Sequence, residues 1–147
     1  MYNLETIDNL LKNEISAVET YLQVLAKFKA EENTCKSAFL LPIYMGHENA
    51  VSSLQNHMRE MGATPAAHTG NDGAWAKIIQ SGIKMFGLQT ALNLLLEAEN
   101  SCAANYEQVL LNQQLPLSIR CLIEWKLLLI QKSHTRILDK HLHAMPA

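Results

Sequence analysis

The sequence predicts an all-α fold in which four long helices form two antiparallel hairpins joined by one long crossover. Three observations support this prediction. Apolar residues recur with the seven-residue period of packed helices in four separate segments, and strand-like alternation is almost absent. The connections between the segments are short, long and short in turn. With 147 residues, of which 48% are hydrophobic, the chain is predicted to form a single domain over residues 1–147.

The apolar pattern places the four helices at about residues 4–29, 34–61, 88–112 and 117–142. Only a few residues separate the first helix from the second and the third from the fourth, which is the spacing of an antiparallel hairpin. About 26 residues separate the second helix from the third. A helix of 25 residues is ~38 Å long, and a connection of that size can run its full length. Two hairpins joined by one long crossover is the connectivity of ferritin-like four-helix bundles.

Two local features modify this outline. The crossover contains the pattern of a short helix over about residues 73–86, anchored by Trp75 and Ile78. Pro42 lies inside the second helix and lacks a backbone N–H, so we expect either a kink there or a late start of the regular helix.

A glutamate interrupts the apolar stripe of the first and third helices. The stretches "NEISAVETYLQVL" around Glu14 and "AENSCAANYEQVL" around Glu99 share Glu, Ser, Tyr, Gln, Val and Leu at the same offsets. The second and fourth helices carry a histidine on their stripes: His47 follows Glu14 by 33 residues, and His134 follows Glu99 by 35. The two hairpins therefore look like copies related by a pseudo-twofold axis, and their four polar residues are predicted to converge inside the bundle.

A buried carboxylate is unfavourable unless it is protonated, paired or bound to a metal. Two glutamates and two histidines can solve this problem together by ligating a cation. Carboxylate and imidazole ligands suit Fe, Mn or Zn better than Ca or Mg. The sequence therefore predicts a transition-metal site formed by Glu14, His47, Glu99 and His134. The alternative is a hydrogen-bonded polar network that holds no metal.

Tyr21 and Tyr106 each follow a glutamate of the stripe by seven residues. Helical side chains lean toward the N-terminus of their own helix. If the first and third helices are antiparallel, Tyr21 leans toward Glu99 and Tyr106 leans toward Glu14. We therefore predict reciprocal hydrogen bonds of the kind that orient metal-binding carboxylates.

These residues carry a resemblance to a known family. "LLKNEISAVETYL" resembles the first helix of bacterioferritin, in which the matching glutamate is an iron ligand. From about residue 4 to 142 the chain more closely resembles an uncharacterised ferritin-like family, classed as a four-helix-bundle domain of unknown function, through "NEISAVETY", "GHENAVSSL", "GAWAKI", "EAENSCAANY" and "QKSHTRIL". The resemblance implies that iron is the favoured metal, with Mn or Zn as alternatives, and that its ligand positions are Glu14, His47, Glu99 and His134.

The chain departs from the di-iron pattern of that superfamily. Di-iron members carry Glu-x-x-His on two of their helices. Here Tyr44 lies three residues before His47, and Gln131 lies three residues before His134. Both carboxylates are missing, so the sequence favours a single metal ion or a site that has lost its metal. Tyr44 and Gln131 are expected to fill the space beside the site.

Composition excludes several classes of partner. The net charge is −2 and no basic stripe is present, which argues against nucleic acid and anionic membranes. The N-terminus lacks the features of a secretory signal, and three cysteines without metal-type spacing indicate free thiols, so we expect a cytoplasmic protein.

The fourth helix has a second apolar line through Leu122, Trp125 and Leu129. Either the crossover helix or the partner in a homodimer is expected to cover it.

The sequence thus predicts a ferritin-like protein that binds a transition metal, iron by preference. If it is an enzyme, its chemistry is metal-centred redox in an oxidative-stress role. Two alternatives remain. One is a non-enzymatic helical bundle that acts as a stress or adaptor protein, and the other is a binder of an apolar ligand beside Pro42.

Overall fold

All regular secondary structure in the described residues is helical. The computed structural model describes residues 2–31, 34–65, 73–80 and 87–145. Its helices are α1 (Tyr2–Ala30), α2 (Thr34–Ser37), α3 (Leu40–Glu60), α4 (Gly73–Gln80), α5 (Leu88–Leu110), α6 (Leu117–Leu122) and α7 (Leu128–Ala144), and a π-helical turn (Ile123–Leu127) joins α6 to α7. The all-α prediction is confirmed for this part of the chain. The portion of the expected crossover helix at 81–86 lies outside the described residues.

Neighbouring long helices run in opposite directions. α1 packs against α3, α5 packs against α7, and contacts between α1 and α5 and between α3 and α7 close the arrangement. Tyr21 on α1 meets Glu99 on α5, whereas Glu14 meets Tyr106, so these two helices are antiparallel. The arrangement is compatible with the predicted ferritin-like four-helix bundle.

The second long helix starts at Leu40, later than the start at about residue 34 that its apolar pattern predicts. α3 begins at Leu40, after the single turn of α2, which places Pro42 in the first turn of α3. The missing N–H of Pro42 removes no helical hydrogen bond there, because the first N–H groups of a helix have no intrahelical partner. For Pro42 we expected either a kink or a late start of the regular helix, and the structure shows the late start. Gly62 follows the end of α3 with φ of 81°, the left-handed conformation that commonly terminates a helix.

The π turn before α7 is a feature that the apolar pattern did not lead us to predict. The inward side chains of this region follow one another in steps of four, at Ile119, Ile123, Leu127 and Gln131. Four residues of a regular α-helix turn by about 400°, so each step would drift by about 40°. A π turn has more residues per turn and absorbs this drift. The repeated step of four therefore fits the π turn, although the same step also occurs in regular α-helices.

Two apolar clusters fill the interior, one on either side of a polar layer. Along α1, Glu14 falls between Leu11 of one cluster and Ala17 of the other. The same order holds on α3, where His47 falls between Ala50 and Ile43. The polar layer is thus enclosed at both ends by packed apolar side chains.

The crossover helix α4 packs mainly against α1 and α5. Its Trp75 is fully buried there. The expectation that the crossover helix covers the second apolar line of the fourth helix is therefore wrong for its described residues 73–80. Trp125 is 72% exposed and Leu129 is 53% exposed on the outer side of that helix. The physical reason is that the one large aromatic side chain of α4 is buried between α1 and α5 instead.

No helix in residues 2–31, 34–65, 73–80 and 87–145 combines the length and the apolar content needed to cross a membrane.

Candidate metal centre

The four predicted site residues all lie in the polar layer, one from each long helix. They are Glu14, His47, Glu99 and His134, and each is at most 3% exposed. Their depth follows from the stripe positions, because a residue on the seam of a packed helix faces the interior. The structure therefore brings together side chains that are 33 to 120 positions apart in the sequence.

His47 lies between the two carboxylates. Its Nδ1 is 2.7 Å from Oε2 of Glu14, and its Nε2 is 2.8 Å from Oε2 of Glu99. On the other side of Glu99, Nδ1 of His134 is 3.3 Å from Oε1. Glu99 is thus held between two imidazole rings, whereas Glu14 contacts only one.

Three of the four residues form a buried cluster that could hold a metal ion. His47, Glu99 and His134 each offer one ligand atom, and these atoms lie within 4.8 Å of one another. Two imidazole nitrogens and one carboxylate fit a divalent transition metal. The donor chemistry of the residues present therefore suits the kind of ion that the sequence predicts.

Glu14 has a different place from the other three. It faces the Nδ1 side of His47, away from the nitrogen that approaches Glu99. A histidine that binds a metal through one nitrogen commonly donates its other N–H to a carboxylate, which fixes the tautomer and the ring orientation. The position of Glu14 suits this orienting role, whereas the sequence pattern had grouped it with the ligands.

Both hydrogen bonds predicted between tyrosines and the opposite glutamates are present. The Tyr21 hydroxyl donates to Oε2 of Glu99 at 2.5 Å, and the Tyr106 hydroxyl donates to Oε1 of Glu14 at 2.9 Å. Burial and the nearby glutamate charges raise the pKa of both tyrosines well above 10.0. Both hydroxyls therefore remain protonated donors, and they favour the charged form of the carboxylates.

The two residues at the positions of the missing carboxylates behave differently. Gln131 is buried, and its Nε2 donates to the backbone carbonyl of Glu99 at 3.0 Å and to the side-chain Oε1 of Glu99. Tyr44 is half-buried, and its hydroxyl is hydrogen-bonded to the exposed Glu48. The structure thus brings Gln131 to the site and turns the hydroxyl of Tyr44 to Glu48 instead.

The charges of the layer compensate one another. Burial alone would lower the pKa of His47, but the charges of Glu99 and Glu14 and their hydrogen bonds outweigh burial and raise it from 6.5 to about 10. Burial raises the pKa of Glu99, but the charge of His47 and the hydrogen bonds from both histidines hold it well below its ordinary 4.5. In the metal-free protein at neutral pH, an imidazolium therefore lies between two carboxylates.

Sequence reasoning missed the part that Gly46 plays. A Cβ atom at this position would lie 2.5 Å from Nε2 of His134 and 3.4 Å from Cγ2 of Ile130. An added Cβ would force the His134 ring to move, so glycine permits the close approach of α3 to α7 at this point. An isolated glycine inside a helical pattern, next to His47, was the available signal.

The sequence pattern also did not predict that Trp75 of the crossover helix α4 packs against residues of the polar layer. The Trp75 ring lies 5.5 Å from the His47 ring and 5.8 Å from the Tyr21 ring, measured between centroids. Its Nε1 donates to Sγ of Cys102 at 3.2 Å, and Nδ2 of Asn13 donates to the same sulfur at 2.8 Å. Cys102 is a free, buried thiol. These contacts attach α4 to the polar layer and help to exclude water from it.

Comparison of the chain with models of known protein families gives no match. Comparison with curated proteins gives no match, and the same holds for solved structures. The resemblance to ferritin-like proteins therefore rests on the sequence motifs alone.

Proposed function

We propose that this protein is a ferritin-like metal-binding protein in which His47, Glu99 and His134 hold one divalent transition-metal ion, iron by preference. The observation that carries the proposal is the buried cluster of these three residues, whose ligand atoms lie within 4.8 Å of one another. Two histidines and one carboxylate are the donor set of mononuclear non-haem iron sites. When bound, such an ion supplies redox chemistry with O₂ or peroxide, which fits an oxidative-stress role.

In the proposed site, each of the protein's own residues would have a distinct role in binding the ion, orienting a ligand or excluding water. Glu99 supplies the negative charge, and His47 gives up the proton on Nε2 before it can ligate. Glu14 accepts the Nδ1–H of the same ring and so fixes its orientation. Tyr21 holds the Glu99 carboxylate through its hydroxyl. Trp75 closes one side of the polar layer against water.

A specific observation favours a second candidate, a metal-free polar network. His47 already lies 2.7 Å from Glu14 and 2.8 Å from Glu99, so its charge is compensated without a metal. A protein with such a core would act through its surface, as a non-enzymatic stress or adaptor protein. The other alternative, a binder of an apolar ligand beside Pro42, gains no support from the described residues there. The adjacent Leu40 and Ile43 are fully buried in the core.

The metal content of the purified protein decides between the two candidates. The protein is purified without chelators or a His tag, loaded anaerobically with Fe(II), and analysed for elements after gel filtration. We expect about one metal per chain in the wild type and loss of the metal in His134→Gln. His143→Gln is the matched control, because the side chain of His143 is 78% exposed and lies on the same helix. No metal after loading with Fe, Mn or Zn would overturn the proposal and favour the network.

We also propose a cytoplasmic location and a homodimer through the outer side of the fourth helix. Trp125 and Leu129 of the predicted apolar line are 72% and 53% exposed, whereas its third member, Leu122, is partly buried against the core. Leu117, which is 74% exposed, and the exposed Cys121 precede Trp125 at the same four-residue spacing. These side chains form an apolar line, and contiguous exposed apolar surface marks interaction sites. Light scattering should give a dimer for the wild type and a monomer for Trp125→Glu. A wild-type monomer at high concentration would contradict the dimer.

A further inference from the structure

We infer that Gln131 limits this site to a single metal ion, and that a carboxylate at position 131 would give it a second. The inference rests on the proposed function, because it assumes that His47, Glu99 and His134 hold a metal. It concerns the reason why the proposed site would hold one ion and not two.

The side-chain amide of Gln131 contacts the proposed ligand Glu99 directly. The side chain is 1% exposed and lies one helical turn before His134. Its Nε2 donates to both the backbone carbonyl and Oε1 of Glu99. Oε1 is also the oxygen that Nδ1 of His134 approaches at 3.3 Å. A side chain of similar length at position 131 would therefore meet the Glu99 carboxylate at the oxygen that His134 approaches.

The chemistry of the amide at this position opposes a second ion. In bundles that bind two metals, a Glu three residues before the histidine supplies charge and an extra ligand oxygen. The amide of Gln131 carries no charge, and its N–H group occupies an oxygen of Glu99 that a second ion would need. Two divalent ions would bring four positive charges into a buried layer, and uncompensated buried charge is strongly unfavourable.

No other carboxylate of the described residues can supply the missing charge from its present place. Glu14 and Glu99 are the only buried carboxylates in this part of the chain. Glu19 and Glu48 line an open surface groove of about 310 Å³ between α1 and α3. Tyr44, which occupies the position equivalent to Gln131 in the first hairpin, is hydrogen-bonded to Glu48 rather than to the site. Because Gln131 already donates to the Glu99 carboxylate, a Gln131→Glu substitution would add a carboxylate directly beside it.

The test compares metal stoichiometry in the wild type and in Gln131→Glu. Each protein is titrated anaerobically with Co(II), freed of excess metal by gel filtration and analysed for cobalt. Mn(II)-loaded samples are examined by electron paramagnetic resonance, because two neighbouring Mn(II) ions give a spin-coupled spectrum that one ion cannot give. We expect one ion per chain in the wild type and two in Gln131→Glu. Gln131→Met is the matched control, because it has similar size and no carboxylate, and it should keep one ion.

A second variant guards against loss of folding in Gln131→Glu. Gln131→Ala removes the amide and leaves room for a small carboxylate from solution. It should bind one Co(II) per chain in buffer without carboxylates and two when acetate is added, whereas acetate should change nothing in the wild type.

The outcomes separate this inference from the proposed function. One ion in folded Gln131→Glu, or no effect of acetate on Gln131→Ala, would overturn the role of Gln131 and leave the metal site intact. Two ions in the wild type would overturn the role of Gln131 and the proposed stoichiometry of one ion, but not metal binding at the site. No ion in the wild type would overturn the proposed function, and this inference with it.

Discussion

The two hairpins of this protein carry the same polar residues but use them differently. The first hairpin, α1 with α3, provides Glu14 and His47. The second, α5 with α7, provides Glu99 and His134. Each glutamate accepts a hydrogen bond from the tyrosine of the other hairpin, so this part of the site is symmetric. The histidines break the symmetry, because both glutamates contact His47 and only Glu99 contacts His134.

The difference has identifiable causes in the residues beside each histidine. In the second hairpin, Gln131 donates to Glu99 from one turn before His134. In the first hairpin, Tyr44 stands at the equivalent place and is hydrogen-bonded to Glu48. Gly46 then lets His134 pack directly against α3. A nearly symmetric sequence thus produces one crowded carboxylate, Glu99, and one supporting carboxylate, Glu14. The following predictions test this division.

The largest expected effect is the loss of the Glu99 charge. Glu99→Gln should weaken Co(II) binding by more than about 100-fold, because it removes the anionic ligand, whereas loss of an orienting residue costs about 10- to 100-fold. In the metal-free protein it should lower the free energy of unfolding by about 3–5 kcal/mol, because His47 loses a buried partner. Calorimetric titration and urea unfolding measure both. Glu14→Gln is the matched comparison, and equal losses of affinity would show that both glutamates ligate.

The stability of the metal-free protein should depend on pH through the central imidazolium. The folded-state pKa of His47, about 10, lies above the ordinary 6.5, so its contribution is complete below pH 6.5 and is lost as the pH rises toward 10. The pKa of Glu99 is lowered, so its contribution is complete above pH 4.5 and is lost as the pH falls. Stability should therefore be highest between pH 4.5 and 6.5.

Urea unfolding between pH 6.5 and 9 measures the alkaline side of this profile. The free energy of unfolding should fall by at most about 1.4 kcal/mol per pH unit, the limit for one proton. His47→Gln should flatten the profile in this range. A wild-type profile that is already flat would mean that the imidazolium does not form.

The tyrosines test the symmetric part of the site. Tyr21→Phe and Tyr106→Phe should each lower the free energy of unfolding by about 1.5–3 kcal/mol, because each removes a buried hydrogen bond to a charged group. Their effects on Co(II) affinity should differ. Tyr21 holds the proposed ligand Glu99, whereas Tyr106 holds Glu14, which is one contact further from the metal. A larger loss of affinity in Tyr106→Phe would reverse the roles of the two glutamates.

The smallest effect is expected from Gly46→Ala. The added methyl would overlap His134, and overpacking of this kind costs about 1–3 kcal/mol. The better helix propensity of alanine returns up to about 1 kcal/mol. Thermal unfolding should therefore show a modest net loss, accompanied by weaker Co(II) binding. Gly87→Ala is the control, since a Cβ there meets nothing within 4 Å, and an equal loss of binding in the control would remove the role of Gly46.

Much of this protein could be predicted from the sequence because helical periodicity is local. The period of the apolar residues indicates the helices, and the stripe positions of Glu14, His47, Glu99 and His134 set their burial. The seven-residue offset from each glutamate to its tyrosine, read with antiparallel helices, predicted both tyrosine–glutamate hydrogen bonds. The step of four from Ile119 to Gln131 fits the π turn but did not predict it, because regular α-helices have the same step.

Only the tertiary structure decided how the polar side chains share their partners. A stripe position fixes the depth of a residue but not its rotamer, so it could not tell which nitrogen of His47 meets which glutamate. It also could not tell that Tyr44 would turn to Glu48 while Gln131 turned to Glu99. The choice between α1–α5 and the fourth helix as the docking site of Trp75 depended on packing between segments distant in the chain. Contacts of this kind are set by the helices together, because each side chain takes the space and the partners that the others leave.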